Sequence, residues 1–195
     1  MKVFFDDQPL DSGHAIRGVG SYTRNLLEKL KNSKDIKLVD NPESADLIHY
    51  PYFDLFFDTL KITGKPTIVT IYDVIPLLYP RHYQSGIKGS LNFRKQKKKL
   101  KKVDVVITIS ETSKKDIVRL LDIPAEKIVV AYLAPAESFK KTVSTAELKT
   151  IKKKYKLPNR FVLYVGDVNY NKNIINLVKA CKEAQIPIVI GGKQA

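Results

Sequence analysis

Four short stretches of this chain carry residue types that can do chemistry on an anionic or hydroxylated ligand. The first is Arg17-Gly18-Val19-Gly20-Ser21-Tyr22, between an opening apolar run and the first amphipathic stretch. Paired glycines let a backbone come close to a ligand, and a helix N-terminus offers amides and a positive dipole end to an anion. Thr23 breaks the Gly-x-Gly-x-x-Gly dinucleotide pattern, and a tight helix entry explains the glycines equally well. The second is Tyr72-Asp73-Val74-Ile75-Pro76, directly after a β-branched run. A carboxylate beyond a strand end can accept a sugar hydroxyl or act as a base, although Asp in that place also serves as a turn or cap. The third, Ser110-Glu111-Thr112-Ser113, again follows a strand, and Ser110 is well explained as an N-cap. The fourth is Gly166-Asp167-Val168-Asn169-Tyr170-Asn171-Lys172-Asn173. A glycine turn followed by a lysine at a helix start suits a diphosphate, as it also suits a plain strand-to-helix loop with an exposed lysine.

The elements that must position these stretches follow from periodicity. Residues 3–5, 36–39, 47–50, 67–72, 103–109 and 128–132 read as strands, and residues 22–31, 90–102 and 111–121 as helices with apolar stripes. Strands that are apolar without alternation are buried on both faces, and the strand–helix rhythm predicts an α/β, Rossmann-like parallel sheet with helices on both faces. An irregular polar stretch and a basic helix then precede one further strand–helix–strand unit. The expected domains are residues 1–140, a linker with the basic helix over 141–159, and an incomplete second Rossmann-like unit over 160–195. A lone unit of that size has little apolar area to bury.

Bulk properties narrow the function. The 195 residues hold 34 basic and 20 acidic side chains, a net charge of +14. Seven of the nine residues in 94–102 are basic (Arg94, Lys95, Lys97, Lys98, Lys99, Lys101 and Lys102), as are four of the five in 152–156. Such runs attract phosphate, on anionic lipid, nucleotide or nucleic acid, or else are simply solvated faces. Aromatics beside them are few, Phe93 and Tyr155, and no nucleic-acid-binding motif is present, so nucleic acid is not the expected partner. The single cysteine, Cys181, excludes an internal disulfide framework. His14, His49 and His82 lack metal-ligand spacing. The opening residues lack the apolar stretch of a signal peptide, so a cytoplasmic protein is expected.

The order of these features resembles glycosyltransferase family 4, retaining enzymes of the two-lobed GT-B architecture. Gly18-Val19-Gly20-Ser21-Tyr22 with Asn25-Leu26-Leu27 is similar to the family's N-terminal glycine loop. Tyr72-Asp73-Val74-Ile75-Pro76-Leu77 is similar to its His-Asp-x-x-Pro segment, with Tyr72 replacing the histidine. Residues 105–113 with Asp116-Ile117, then Ile123-Pro124-Ala125-Glu126-Lys127-Ile128, and finally Tyr164-Val165-Gly166 with Lys172-Asn173, continue the pattern. The resemblance implies sugar transfer from a nucleotide-sugar donor to a glycan or lipid-linked acceptor, with no cofactor and no metal. It places Tyr72 and Asp73 at the reacting centre, and Gly18, Gly20, Gly166 and Lys172 on the donor diphosphate. Arg17, Tyr22, Ser110 and Glu111 fall on the acceptor side, and residues 94–102 would touch an anionic membrane at its inner face. Asp167 and Asn171 stand where basic residues are common, which leaves the diphosphate clamp to Lys172. The chain is thus expected to be the acceptor half and the start of the donor half of such an enzyme, inactive alone. A half-enzyme working with a separate donor-binding chain, and a non-enzymatic basic module, are the other readings.

Overall fold

Continuous apolar strands require cover above and below, and the sheet order provides it. The computed structural model describes residues 1–192. Strands β1 (Lys2–Phe5), β2 (Lys37–Leu38), β3 (Leu47–Tyr50), β4 (Thr67–Thr70), β5 (Val105–Thr108) and β6 (Ile128–Val130) form one sheet. The order is β2-β1-β3-β4-β5-β6, with every neighbouring pair parallel. Helices α1 (Gly18–Lys31), α2 (Ile75–Leu78), α3 (Gly86–Leu100) and α4 (Glu111–Leu121) lie in the connections. From β1 the chain steps one way to β2, whereas β3 to β6 steps the other way. Right-handed crossovers then put α1 on one face and α3 with α4 on the opposite face. This is the doubly wound, Rossmann-like arrangement expected from the strand patterning.

Register builds the core. Tyr50 lies beside Val69, and Val69 beside Val106, which lies beside Ile128. That row packs with Leu100 of α3 and with Ile117 and Leu121 of α4, all buried. Opposite it, His49 sits beside Phe5 and Ile68. Gln96 is a polar residue of α3 with no exposure at all. Its Nε2 donates to the carbonyls of Asp54 and Phe57 and to Thr59 Oγ1 at 3.1, 2.6 and 3.2 Å. One buried amide therefore holds the loop that follows β3 against the helix.

Two helix starts differ from the periodicity. Helix α1 begins at Gly18 rather than Tyr22, because the amides of Gly20 and Ser21 already bond to His14 and Arg17 carbonyls at 3.1 and 3.0 Å. The glycines are its first turn, not a loop ahead of it. A Cβ at Gly20 would stand 2.3 Å from the Ala15 carbonyl oxygen, so only glycine lets the preceding loop lie on the helix. Helix α3 begins at Gly86, whose φ of +62° marks the turn into it.

The chain divides into two compact units, Met1–Pro135 and a second that begins at Ala136. In the second, α5 (Thr145–Lys154) opens with a capping box between Ser144 and Glu147. It is followed by β7 (Val162–Val165), α6 (Ile174–Glu183) and β8 (Ile188–Gly191), with β7 and β8 paired in parallel. This strand–helix–strand unit buries Ile174 and Cys181, yet Leu163 and Val165 of β7 are 60% and 72% exposed.

Candidate functional site

A doubly wound sheet opens a crevice beyond its strand C-termini where the chain reverses direction along the sheet. Here that reversal falls between β1 and β3. At this edge stand Asp6 after β1, Pro51 and Tyr52 after β3, Tyr72 and Asp73 after β4, and Ser110 after β5. The loop carrying His14 leads from this edge into α1.

Aromatic rings occupy the crevice. His14 and Tyr52 approach to 4.5 Å between centroids, Tyr22 meets Tyr72 edge-on at 5.3 Å, and Tyr52 lies 6.5 Å from Tyr72. All four are half-buried, and none belongs to the buried core cluster. The Tyr72 hydroxyl donates to the Pro51 carbonyl at 3.0 Å and the Tyr52 hydroxyl to Asp54 Oδ2 at 2.8 Å. Burial raises both phenols above their ordinary range, and at Tyr52 the Asp54 carboxylate adds to the effect. Both therefore stay neutral and act through their rings and as hydrogen-bond donors. Arg17 and Asp73 are close enough to bias Tyr52 in opposite senses.

Both signs of charge stand around the crevice: carboxylates, Arg17 near Tyr52, Lys61 near Asp6, and Arg24, whose guanidinium donates to the Ala15 carbonyl at 3.2 Å. Asp73 is exposed, and its Oδ1 accepts the amide of Ile75, the first residue of α2, at 3.0 Å. The Asp6 carboxyl is held above the usual carboxylate range by burial. Below the crevice His49 is buried, with Nε2 3.1 Å from Thr70 Oγ1, and burial lowers its pKa to about 4. It is a neutral core histidine.

The remaining predicted residues fall as follows. Gly18 opens α1 with no atom within 4 Å of where its Cβ would lie, so a ligand has room there, whereas Gly20 is buried against backbone. Ser110 caps α4: its hydroxyl accepts the Ser113 amide at 3.1 Å and meets Ser113 Oγ at 3.0 Å. Glu111 is the exposed first residue of that helix. Gly166 and Lys172 belong to the second unit. Gly166 has a φ of +153°, and a Cβ there would sit 3.0 Å from the Tyr164 hydroxyl. Lys172 is exposed at the end of a short 3-10 turn, ahead of Asn173 in left-handed geometry and the start of α6. Among the described residues, no three His, Cys, Asp or Glu side chains converge as a metal site. No described helix is long and apolar enough to cross a membrane.

Pattern reading overlooked Tyr52, His14 as a crevice residue, and Gln96. Tyr52 follows a strand directly, as Tyr72 does, and that placement was the available signal.

Comparison with known proteins settles the family. The model of Glycosyltransferase Family 4 matches residues 6–134, which begin directly after β1 and hold β2 to β6. The chain belongs to Glycosyltransferase Family 4. The matched span lies within the first unit and ends before Gly166 and Lys172. Among its relatives, the serotype-specific mannosyltransferase WbdA of Escherichia coli is 28% identical over 113 residues, 55% of this chain and 13% of the relative. The O-antigen chain mannosyltransferase B of Escherichia coli is 26% identical over 136 residues, 64% of this chain. The chain thus covers 34% of the second relative's length. The crystal structure of Anabaena Alr3699/HepE in complex with UDP is 14% identical with a TM-score of 0.48, over 98% of this chain and 69% of that one. The fold assignment rests on the sheet order itself.

Proposed function

We propose that this chain supplies the acceptor-side lobe of a retaining hexosyltransferase, which moves a sugar from a nucleotide-sugar donor to a glycan or lipid-linked acceptor. The observation that carries this reading is the family match over the unit whose strand edge gathers Arg17, Tyr22, Tyr72 and Asp73 around one crevice. The names of the relatives, a serotype-specific mannosyltransferase and an O-antigen chain mannosyltransferase, support a hexose as the transferred unit and a polysaccharide as the product.

In this reading Asp73 is the carboxylate at the reacting centre, accepting a hydroxyl of the acceptor or of the sugar in flight. Tyr72 orients the reactants through its neutral ring, its hydroxyl being held by the Pro51 carbonyl. Charge on the departing nucleoside diphosphate is met by fixed positive groups instead of a metal ion: within the first unit the opening amides of α1 at Gly18 suit this role, and within the second, taken by itself, the Lys172 ammonium does. Arg17, Tyr22, Ser110 and Glu111 stand on the acceptor side. Turnover by the 195-residue chain alone is not expected, since the apolar faces of β7 require further cover. A cavity of about 410 Å³ lined by Lys61, Ile62, Lys98, Lys99 and Lys102 supports contact between the basic stretch 94–102 and an anionic membrane surface.

The test is transfer of labelled hexose from GDP-mannose and UDP-glucose to a mannose-terminated oligosaccharide, using the protein in its full-length cellular form. Transfer is expected, and Asp73→Asn should lower kcat by about 10²- to 10³-fold. Folded protein that moves no sugar from any nucleotide donor ends the reading. Full activity in Asp73→Asn removes that residue from the centre.

A further inference from the structure

The crevice between β1 and β3 holds a ring cluster whose chemistry selects a ligand class, and this inference rests on the transfer reading above. Three observations combine. First, His14, Tyr22, Tyr52 and Tyr72 come together from four separate places in the chain, yet stay outside the core. Rings packed for stability alone belong with Tyr50 and Phe53, which are 5% and 6% exposed.

Second, the tyrosine hydroxyls of Tyr52 and Tyr72 are spent on the protein, at Asp54 and Pro51. The rings therefore offer a π surface rather than O–H groups. The loop that carries Tyr52 is also tied down. Asp54 Oδ1 accepts the amides of Phe56 and Phe57 at 2.8 and 3.0 Å, and Gln96 holds the Asp54 and Phe57 carbonyls from below. A surface fixed in advance loses little entropy when a ligand settles on it.

Third, carboxylates stand at the rings: Asp54 accepts the Tyr52 hydroxyl at 2.8 Å, and exposed Asp73 follows Tyr72, with Arg17 also near Tyr52. Aromatic faces carry negative quadrupole potential, which attracts the weakly positive C–H edge of a neutral ring. A pyranose has such an apolar C–H face, with hydroxyls at its rim for Asp73 and Arg17.

We propose that His14, Tyr22, Tyr52 and Tyr72 form a stacking subsite for a neutral hexopyranose, the terminal sugar of the acceptor, with Tyr52, which meets both His14 and Tyr72, as its central ring. The diphosphate is bound elsewhere, since this subsite is aromatic and flanked by acid.

The experiment titrates methyl α-mannopyranoside, methyl α-glucopyranoside and inorganic phosphate separately into the full 195-residue chain, following tyrosine and histidine ring resonances by NMR. The hexosides should shift the rings of Tyr52, Tyr72 and His14 and saturate at millimolar concentration, as suits a single sugar. Phosphate should leave these rings unmoved. Tyr52→Ala should weaken hexoside binding at least about fivefold, while Tyr52→Phe, which keeps the ring and loses the hydroxyl, should stay within about twofold. Ring resonances that do not move at about 100 mM hexoside overturn the proposal, as does a phosphate shift equal to that of the sugars. Equal losses in Tyr52→Phe and Tyr52→Ala also overturn it, because the hydroxyl would then be the binding group. Saturable ring shifts in a protein without transferase activity would sink the enzymatic reading and keep the subsite. Conversely, an unchanged acceptor KM for Tyr52→Ala in an active enzyme would sink the subsite alone.

Discussion

The two units of this chain are built from the same kind of strand and end with different surfaces. In the first, the central apolar residues of β3 and β4, Ile48 and Val69, have no exposure. In the second, β7 is as apolar as they are, Val-Leu-Tyr-Val, but Leu163 and Val165 face outward. Strand chemistry alone does not bury a strand. Six parallel strands with crossover helices on both sides enclose the residues of their central strands, although Val129 on the edge strand β6 is exposed, whereas two strands and one helix leave faces open. The comparison also separates the functional residues. The crevice of the first unit is anchored to a packed sheet, while Gly166 and Lys172 ride on a unit that has little core of its own.

The largest expected effect tests that contrast directly. Ile48→Ala removes a buried side chain from the centre of the sheet and should cost about 3–4 kcal/mol through lost transfer energy and the cavity left behind. Leu163→Ala, at 60% exposure, should change stability by no more than about 0.5 kcal/mol. Urea unfolding of both variants, followed by circular dichroism, reads the difference. Equal losses would mean that β7 is covered in solution, and the contrast between the units would collapse.

The same contrast explains what could be read in advance. The strands of the first unit were legible because β-branched runs bounded by Pro, Asp or Ser have few other ways to be buried. Tyr72, Asp73 and Ser110 were legible because they follow such runs directly. The start of α1 was not, since glycine is a poor helix former and nothing in sequence shows that Gly20 must clear the Ala15 carbonyl. His14 and Tyr52 meet across the sheet's point of reversal, a contact made by topology and invisible to local spacing. Gln96 was hidden for another reason: within Arg94-Lys95-Gln96-Lys97-Lys98-Lys99 it passes for one more solvated polar residue, although it alone in that run is fully buried. The position of Lys172 along the chain was readable, but its chemistry depends on a donor that local sequence does not display.

Gln96 sharpens the comparison inside the first unit, between its packed sheet and the loop that carries the crevice. Gln96→Leu keeps the side chain's bulk and strips the donor from two carbonyls and the Thr59 hydroxyl. Leaving those buried acceptors unpaired should cost about 2–3 kcal/mol, softened by the relief of Gln96 Oε1, which lacks a partner among the described residues. If the amide positions the loop, amide exchange at Phe56 and Phe57 should accelerate more than exchange in β4. Uniform acceleration throughout the unit would reduce Gln96 to a general stabiliser.

The smallest effect, and the one most specific in sign, comes from His49. Burial lowers its pKa to about 4, below the ordinary value of 6.5, so the folded state resists the proton that the unfolded chain accepts. The stability this residue permits is therefore complete above about pH 6.5 and declines as pH falls through the interval down to about 4, because protonation favours the unfolded chain. Between pH 7 and pH 5 the loss should be about 2 kcal/mol, from 1.36 kcal/mol for each pH unit below the unfolded value. Carboxylates titrate in the lower part of this range, so the measurement must be a difference: the pH slope of unfolding free energy for the native chain minus that for His49→Gln. Glutamine keeps a hydrogen-bonding group near Thr70 and cannot take up a proton, so its slope between pH 6.5 and pH 5 should be flatter. Identical slopes would place His49 in a wetter environment than the packed side of β3, and the sheet beneath the crevice would then be less closed than its geometry indicates.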